Sequence, residues 1–457
     1  MTFLVPLSLF GWLPLAIVFF VLMPARRAAL ATVVGGVLLL PMAQYDLPGL
    51  PEYSKVTAMA LGLLIGGLLS GKMAKAEIEW SRYDLPMLLW CFVSPMATSL
   101  TNGLGYYDGF AGILSTCLQW GVFYWVGRLY FSDGASLRDI CLAIVIGGLI
   151  YVPLCLFELR MSPQLSRNIY GFFPHSFVQH VRYGAYRPIV FMQHGLMVSF
   201  WMAMAATVAF WLWRDRALSH LRGLPMPLAI VALAVTAIFC RSANAWFFLV
   251  VGLGSYYYWR SCNSVRFLRW AIFLIPLYIV ARAFNIVSFE NVQAVAGMIF
   301  DADRVASLAF RLIQEDLFSA KALEQPLFGW GEWGRGWPVD PDTGELVVQA
   351  VDALWTIVLS VKGFVGLCSL FAAMLMGPWL VLRAHGRYKE RFSEAEQANL
   401  VDGVVLSLVV IFFMIDSLLN GMINSVYILC AGALVSYYLH GEKALLAQEA
   451  VSEGGKA

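Results

Sequence analysis

The sequence predicts an all-α, polytopic membrane protein with about thirteen membrane-spanning helices and one large, partly helical loop outside the bilayer. Three observations predict it. Of 457 residues, 60% are hydrophobic and only 13% charged, whereas a soluble globular chain is nearer a quarter charged. Apolar runs of roughly the twenty residues needed to cross a bilayer recur along the whole chain. A single long polar stretch, from about Asn285 to Asp352, interrupts them.

The runs lie near 4–22, 28–46, 56–71, 84–100, 109–127, 139–158, 189–213, 225–240, 244–259, 270–284, 353–382, 400–418 and 423–440. No basic residue precedes the first, so it lacks the charged start of a signal peptide and is expected to stay as a helix. Gly62/Gly66 and Gly67/Gly71 have the spacing of helix-packing contacts. The chain divides into ten helices over 1–284 with an outside loop at 160–188, the large loop at 285–352, three helices over 353–440 and a tail at 441–457. The eight cysteines lie in or beside apolar runs with no Cys-x-x-Cys, which excludes a disulfide framework or a cysteine metal site.

A net charge of +2 carries no nucleic-acid signal; the placement of Lys and Arg among the loops is what matters. One orientation collects Arg26, Arg27, Lys72, Lys75, Arg82, Arg128, Arg138, Arg214, Arg216, Arg222, Arg260, Arg266, Arg269, Arg383, Arg387, Lys389 and Arg391 on one side. The positive-inside rule makes that side the cytoplasm. The amino terminus and the large loop then face out, the carboxyl terminus faces in, and the outside loops at 44–55, 101–109 and 420–424 are almost free of Lys and Arg. Arg160, Arg167, Arg182, Arg187, Arg241, Arg304, Arg311 and Arg335 fall outside against the rule. Lys is nearly absent there, and Arg is the residue suited to bidentate recognition of phosphate. Arg241 sits in a turn of about four residues between membrane helices, where a charge should face protein or a ligand.

The large loop opens with Asp301 and Asp303, which either cap the next helix or hold a divalent metal; capping is the commoner role. From Arg304 to Leu317 apolar residues recur at three- and four-residue spacing, so an amphipathic helix is expected, with Arg304 and Arg311 on one face and Glu315 one turn beyond. Pro326 stops it. A Gly/Trp loop follows, in which Trp330, Trp333 and Trp337 either stack on a bound ligand or anchor at the bilayer surface. Asp352 stands at the edge of the next helix, as a cap of that helix or as a proton acceptor. His175, His180 and His194 lie near the outer surface without the spacing of a helical ligand pair; His194 either packs or lines the cleft. Lys362 falls roughly 15 Å below Asp352, where pairing with Asp402 or Asp416 is expected.

Four stretches resemble the superfamily of bacterial O-antigen ligases and O-antigen polymerases. Arg311, fifteen residues before Pro326-Leu327-Phe328-Gly329-Trp330-Gly331, is similar to that family's Arg, helix, then Pro-x-x-Gly-x-Gly. Asp352-Ala353, nine residues, then Gly363-Phe364-Val365-Gly366 resembles the ligase pattern His-[Asn/Ser/Gln]-x9-Gly-x-x-Gly. Cys240-Arg241-Ser242 resembles the Ser-Arg turn before the ninth helix. Arg187 to Gly195, with Phe191 and His194, resembles Arg-x-x-Gly-Phe-x-x-His. The resemblance covers residues 182–366. It departs at Asp352, where the ligases have His, at Ala353 and at Cys240, and one helix more precedes the loop than in a twelve-helix ligase. An acidic residue at 352 looks more like the polymerase side or an exopolysaccharide relative.

The resemblance implies a metal-independent glycosyltransferase without cofactor in a bacterial inner membrane. An acceptor hydroxyl attacks the anomeric carbon of a glycan carried on polyprenyl diphosphate at the periplasmic face. Negative charge growing on the departing diphosphate needs fixed cations, for which Arg187, Arg241, Arg304 and Arg311 are the candidates. The hydroxyl needs a base, for which Asp352 is the best-placed carboxylate; burial would raise its pKa and nearby Arg would lower it. Trp330, Trp333, Trp337 and His194 are the candidate glycan contacts. The alternatives are a ligase acting on lipid A core or another acceptor, and a transporter or flippase of lipid-linked sugars. Transporters use broken helices and repeated halves, whereas this sequence places its irregular polar stretch in one outside loop.

Overall fold

The computed structural model describes residues 1–49, 51–73, 78–175, 177–182, 184–287, 302–331, 333–339, 344–346, 351–393 and 399–454, with residues 293, 294, 297, 298 and 397. The fold is all-α. Among the described residues, strand is confined to three antiparallel pairs of two residues each, which close turns at 44–54, 181–186 and 220–225.

Helices occupy each of the thirteen apolar runs: α1 (Leu4–Leu22), α2 (Ala25–Leu39), α3 (Lys55–Leu69), α4 (82–101), α5 (105–130), α6 (Gly134–Met161), then after the short α7 (Leu165–Tyr170), α8 (Gly195–Arg214), α9 (Met226–Phe239), α10 (Ala243–Cys262) and α11 (Arg266–Ala283). The large loop contributes α12 (Ala302–Ala322), and α13 (Leu354–Arg391), α14 (Leu400–Asp416) and α15 (Ser425–Gly454) complete the chain. Four of them, α1, α6, α8 and α13, are long and apolar enough to cross a bilayer; α3 and α9 are apolar but shorter. The second run stops at Leu39 because Pro41 follows, and α15 continues past residue 440 to Gly454.

Small residues set the closest approaches. A Cβ on Gly62 or Gly66 of α3 would stand 2.8 Å from Ala16 Cβ or 2.7 Å from Phe20 Cδ2 of α1, as that spacing predicts. Gly71 lies in a turn with open space around it.

Buried ion pairs join distant helices. Asp84 on α4 accepts from Arg128 Nε (2.8 Å) and Tyr124 Oη (2.9 Å) on α5. Asp402 on α14 accepts from Arg138 on α6 at 2.6 Å. Lys362 therefore does not pair as expected: its ammonium reaches Thr116 Oγ1 at 2.8 Å and sits 4.2 Å over the Trp90 ring. Spacing along a helix fixes depth but not which neighbour a side chain faces. Trp90 lies within a π-turn, 89–93 in α4, and Thr116 immediately precedes another, 117–121 in α5, a local widening that is frequent at functional sites.

Beside the polar loop, irregular backbone also occurs within α13. The helix is broken at Gly363, whose φ of 62° and ψ of −166° are open only to glycine, about 13 Å below its start at 1.5 Å per residue. The segment 326–331 runs into this break. Trp330 and Gly331 N–H donate to the carbonyls of Ser360 and Val361 (2.8 and 3.0 Å), and Phe364 and Val365 N–H donate to those of Pro326 and Leu327 (2.7 and 3.1 Å). Thr98 Oγ1 and Asn102 Nδ2 of the α4 end hold the outer side of the segment through Phe328 O and Gly329 O. The Pro-x-x-Gly-x-Gly and Gly-x-x-Gly stretches are thus two halves of one unit that satisfies its own backbone, as broken helices require.

Candidate functional site

Helix α12 reaches the site from one side. Its inner face is pinned by Arg282 near the end of α11, which donates to Glu315 Oε2 (3.1 Å), Asp316 Oδ1 (2.7 Å) and the Leu312 carbonyl (3.0 Å). Tyr278 Oη donates to the same Glu315 carboxylate. Arg282 and Glu315 are both 2% exposed. Burial raises the Glu315 pKa, while the hydrogen bonds and charge of Arg282 pull it back. Glu315 therefore anchors α12 and does not serve Arg311.

Arg311, one turn earlier, points to the turn between α14 and α15. Its Nη1 lies 3.4 Å from the Leu419 carbonyl and from Asn420 Oδ1, and its Nη2 lies 3.5 Å from Asp352 Oδ2. These contacts are long for hydrogen bonds, so the guanidinium is oriented without being closely neutralised. The Arg311 and Asp352 side chains are 28% and 48% exposed and meet at a small cleft, open to solvent and also lined by Phe310, Gln314, Glu315, Val351, Ala353 and Leu419.

Asp352 does not cap α13, the role left open beside that of a base. Ala353 is the N-cap and makes no side-chain bond; the Leu354 N–H donates instead to the Ser417 carbonyl at 3.0 Å. Asp416 at the end of α14 accepts from Asn420 Nδ2 (2.9 Å) and from Asn244 Nδ2. Asn420 thereby links the buried Asp416 to Arg311. Sequence reasoning missed Asn244 and Asn420; their signal was two amides in stretches with few or no Lys, one at the start of α10 just after the Arg241 turn and one beside Gly421.

A second cationic group is built on the α9–α10 turn. Only residues 240–242 separate these helices, and Arg241 adopts a left-handed φ of 55°, uncommon for a residue with a side chain. Ser242 caps α10 by accepting from Ala245 N–H, and Cys240 is wholly buried. The Arg241 carbonyl accepts from Arg187 Nη2 at 3.0 Å, and Arg241 Nη1 donates to the Arg182 carbonyl at 3.3 Å. Arg187 is 3% exposed, with Nε buried and unpartnered among the described residues. Burial, then the charges of Arg182 and Arg311, lower its pKa to about 10.

His194 is the N-cap of α8: its Nδ1 accepts from Leu196 N–H at 3.1 Å, which leaves Nε2 to donate to Gln179 Oε1 at 3.1 Å. The rings of His175 and His180 stand 5.0 and 6.0 Å from it. His180 is wholly buried, and burial followed by the His175 and Arg187 charges lowers its pKa to about 4. The neutral His180 imidazole thus lies beside Arg187. No group of three His, Cys, Asp or Glu positioned for a metal occurs among the described residues. Asp301 and the side chains of Asp303, Arg304 and Trp333 lie outside the described residues.

Trp330 is partly committed within the fold, its Nε1 donating to the Lys321 carbonyl at 3.0 Å and its ring carrying the Lys321 ammonium at 4.2 Å. Trp337 is half-buried beside Gly336, whose carbonyl accepts from Ser360 Oγ at 3.3 Å. A scan against protein-family models and a search of curated proteins found no match.

Proposed function

We propose that the chain is an integral-membrane glycosyltransferase that uses polyprenyl-diphosphate-linked glycan at the periplasmic face of a bacterial inner membrane, polymerising repeat units of an O-antigen or exopolysaccharide. The reading takes the thirteen helical runs as membrane spans, with the amino terminus outside. One observation carries it: Arg311 stands at the mouth of the open cleft where, among the described residues, its contacts to neutral oxygens are long and its ion-pair partner is Asp352, an exposed candidate base. Arg187 and Arg241, locked together by the Arg187 contact to the Arg241 carbonyl, supply further positive charge that lowers the cost of a departing diphosphate. The acceptor hydroxyl forms the new bond to the anomeric carbon, its proton passes to Asp352, and the diphosphate leaves with the bonding pair.

An acidic residue at 352 favours polymerisation over transfer to lipid A core, for which the resemblance expects His. The break in α13 favours a second reading, transport of lipid-linked sugars, since broken helices mark transporter sites. Purified protein incubated with lipid-linked oligosaccharide, in detergent and in parallel after reconstitution into vesicles, separates the three. Longer glycans are expected; transfer to lipid A core would make it a ligase, and no turnover with movement of the donor across vesicles would make it a transporter.

A further inference from the structure

Glu158 lies in the last turn of α6 and is wholly buried, yet no cation pairs with it among the described residues. Its carboxylate is engaged by backbone alone: Oε1 accepts from Leu165 N–H at 2.9 Å, and Oε2 accepts from both Ile189 and Val190 N–H at 2.8 Å. Charge-assisted bonds of this kind are how a buried carboxylate is tolerated without a counter-ion.

Two of the three donors belong to a strained turn. Val190 has φ +53°, a left-handed conformation that is an outlier for a β-branched residue. Adjacent N–H groups converging on one oxygen form the concave nest that a left-handed residue creates, and such strain persists only where the surroundings over-determine it. Ile189 O accepts from Met192 N–H at 3.0 Å and closes the turn. Arg187 stands two residues upstream, its N–H on the His180 carbonyl at 2.7 Å. Its stem lies against Gly195, where a Cβ would stand 2.6 Å from Arg187 Cγ. The arginine has almost no room of its own, so its direction follows the turn.

We propose that Glu158 is a positioning residue for the arginine site: it holds the Ile189–Val190 turn in its left-handed form and thereby sets where the Arg187 guanidinium stands. The inference rests on the reading of Arg187 as a diphosphate contact. A carboxylate that only ended α6 would not make the effect depend on the conformation of Val190.

The strain supplies the test. Full-length Glu158→Gln, Val190→Gly, the double variant and Arg187→Ala are purified in detergent. Amide hydrogen exchange over 185–192 and the dissociation constant for inorganic diphosphate are measured on each. Glu158→Gln is expected to speed exchange at Ile189 and Val190 and to weaken diphosphate about tenfold, the loss of roughly one charge-assisted bond. Val190→Gly, which accepts positive φ freely, is expected to restore most of that affinity in the double variant. If Glu158→Gln does not fold, Glu158→Asp, which keeps the charge and shortens the reach, takes its place in every arm. Unchanged exchange, or unchanged diphosphate affinity while Arg187→Ala weakens it, overturns the proposal, as does failure of Val190→Gly to rescue. If Arg187→Ala binds diphosphate as the wild type does, the reading of Arg187 falls instead, and the exchange arm still decides whether Glu158 holds the turn.

Discussion

Gly363→Ala probes the junction between the Gly/Trp loop and the broken helix. An alanine there meets two costs. Its φ of 62° with ψ of −166° lies in a region essentially closed to residues with a Cβ, at roughly 1–3 kcal/mol. The added Cβ would also stand 2.5 Å from Phe328 N and closer still to the Leu327 carbonyl group. These are backbone atoms and no rotamer change relieves the overlap. Withdrawing the loop breaks the Phe364 and Val365 hydrogen bonds to Pro326 and Leu327, and buried groups left without partners cost about 1–3 kcal/mol each. The sum, on the order of 3–9 kcal/mol, is comparable with the whole stability of many proteins. Gly254→Ala is the control, a helical position in α10 with nothing within 4 Å of the added methyl. Thermal unfolding in detergent, followed by tryptophan fluorescence, is expected to show a large drop for Gly363→Ala and little change for Gly254→Ala. Equal midpoints for the two variants would refute the account of the junction.

Arg311→Lys is expected to lose most turnover of lipid-linked glycan, because a point charge does not reproduce a planar fork, while the exposed Arg335→Lys keeps most of it; rates at saturating donor distinguish them. Asp352→Asn keeps the shape and removes the base, so a fall of about 10²–10⁴ in rate is expected, and full activity would leave the arginines as the only catalytic element. Arg282→Ala strands Glu315 in the interior and is expected to destabilise by roughly 3–5 kcal/mol, read from the thermal midpoint, with Arg282→Ala/Glu315→Leu recovering part of the loss.

Much of the helical layout was legible because apolar runs are long-range averages that survive local irregularity. The meeting of Arg311 with Asp352, 41 residues apart in the chain, was legible only through the resemblance, which put both at one site. The insertion of 326–331 into α13 was not, because a glycine pair reads locally as a turn and carries no signal of the depth to which the turn descends. Lys362 shows the same limit, since its depth was read from spacing while its partners Thr116 and Trp90 lie on helices whose facing no periodicity gives. Asp352 as a helix cap failed because a residue beside a helix start caps it only if its side chain turns inward. Here the Ser417 carbonyl already takes the Leu354 N–H.

The two walls of the cleft are anchored separately. Arg311 rides on α12, which Arg282 and Tyr278 fasten to α11 through Glu315. Asp352 precedes the outer half of α13, whose first N–H is held by the α14–α15 turn and whose inner end is held by the 326–331 segment. Among the described residues, the ion pair across the gap is the long one of 3.5 Å between them, between side chains exposed enough for water to screen it. An incoming diphosphate can therefore displace Asp352 from Arg311 without breaking either anchor, and doing so frees the carboxylate to accept a proton. In the proposed reaction, donor binding and base release are then one event, because both draw on the same guanidinium.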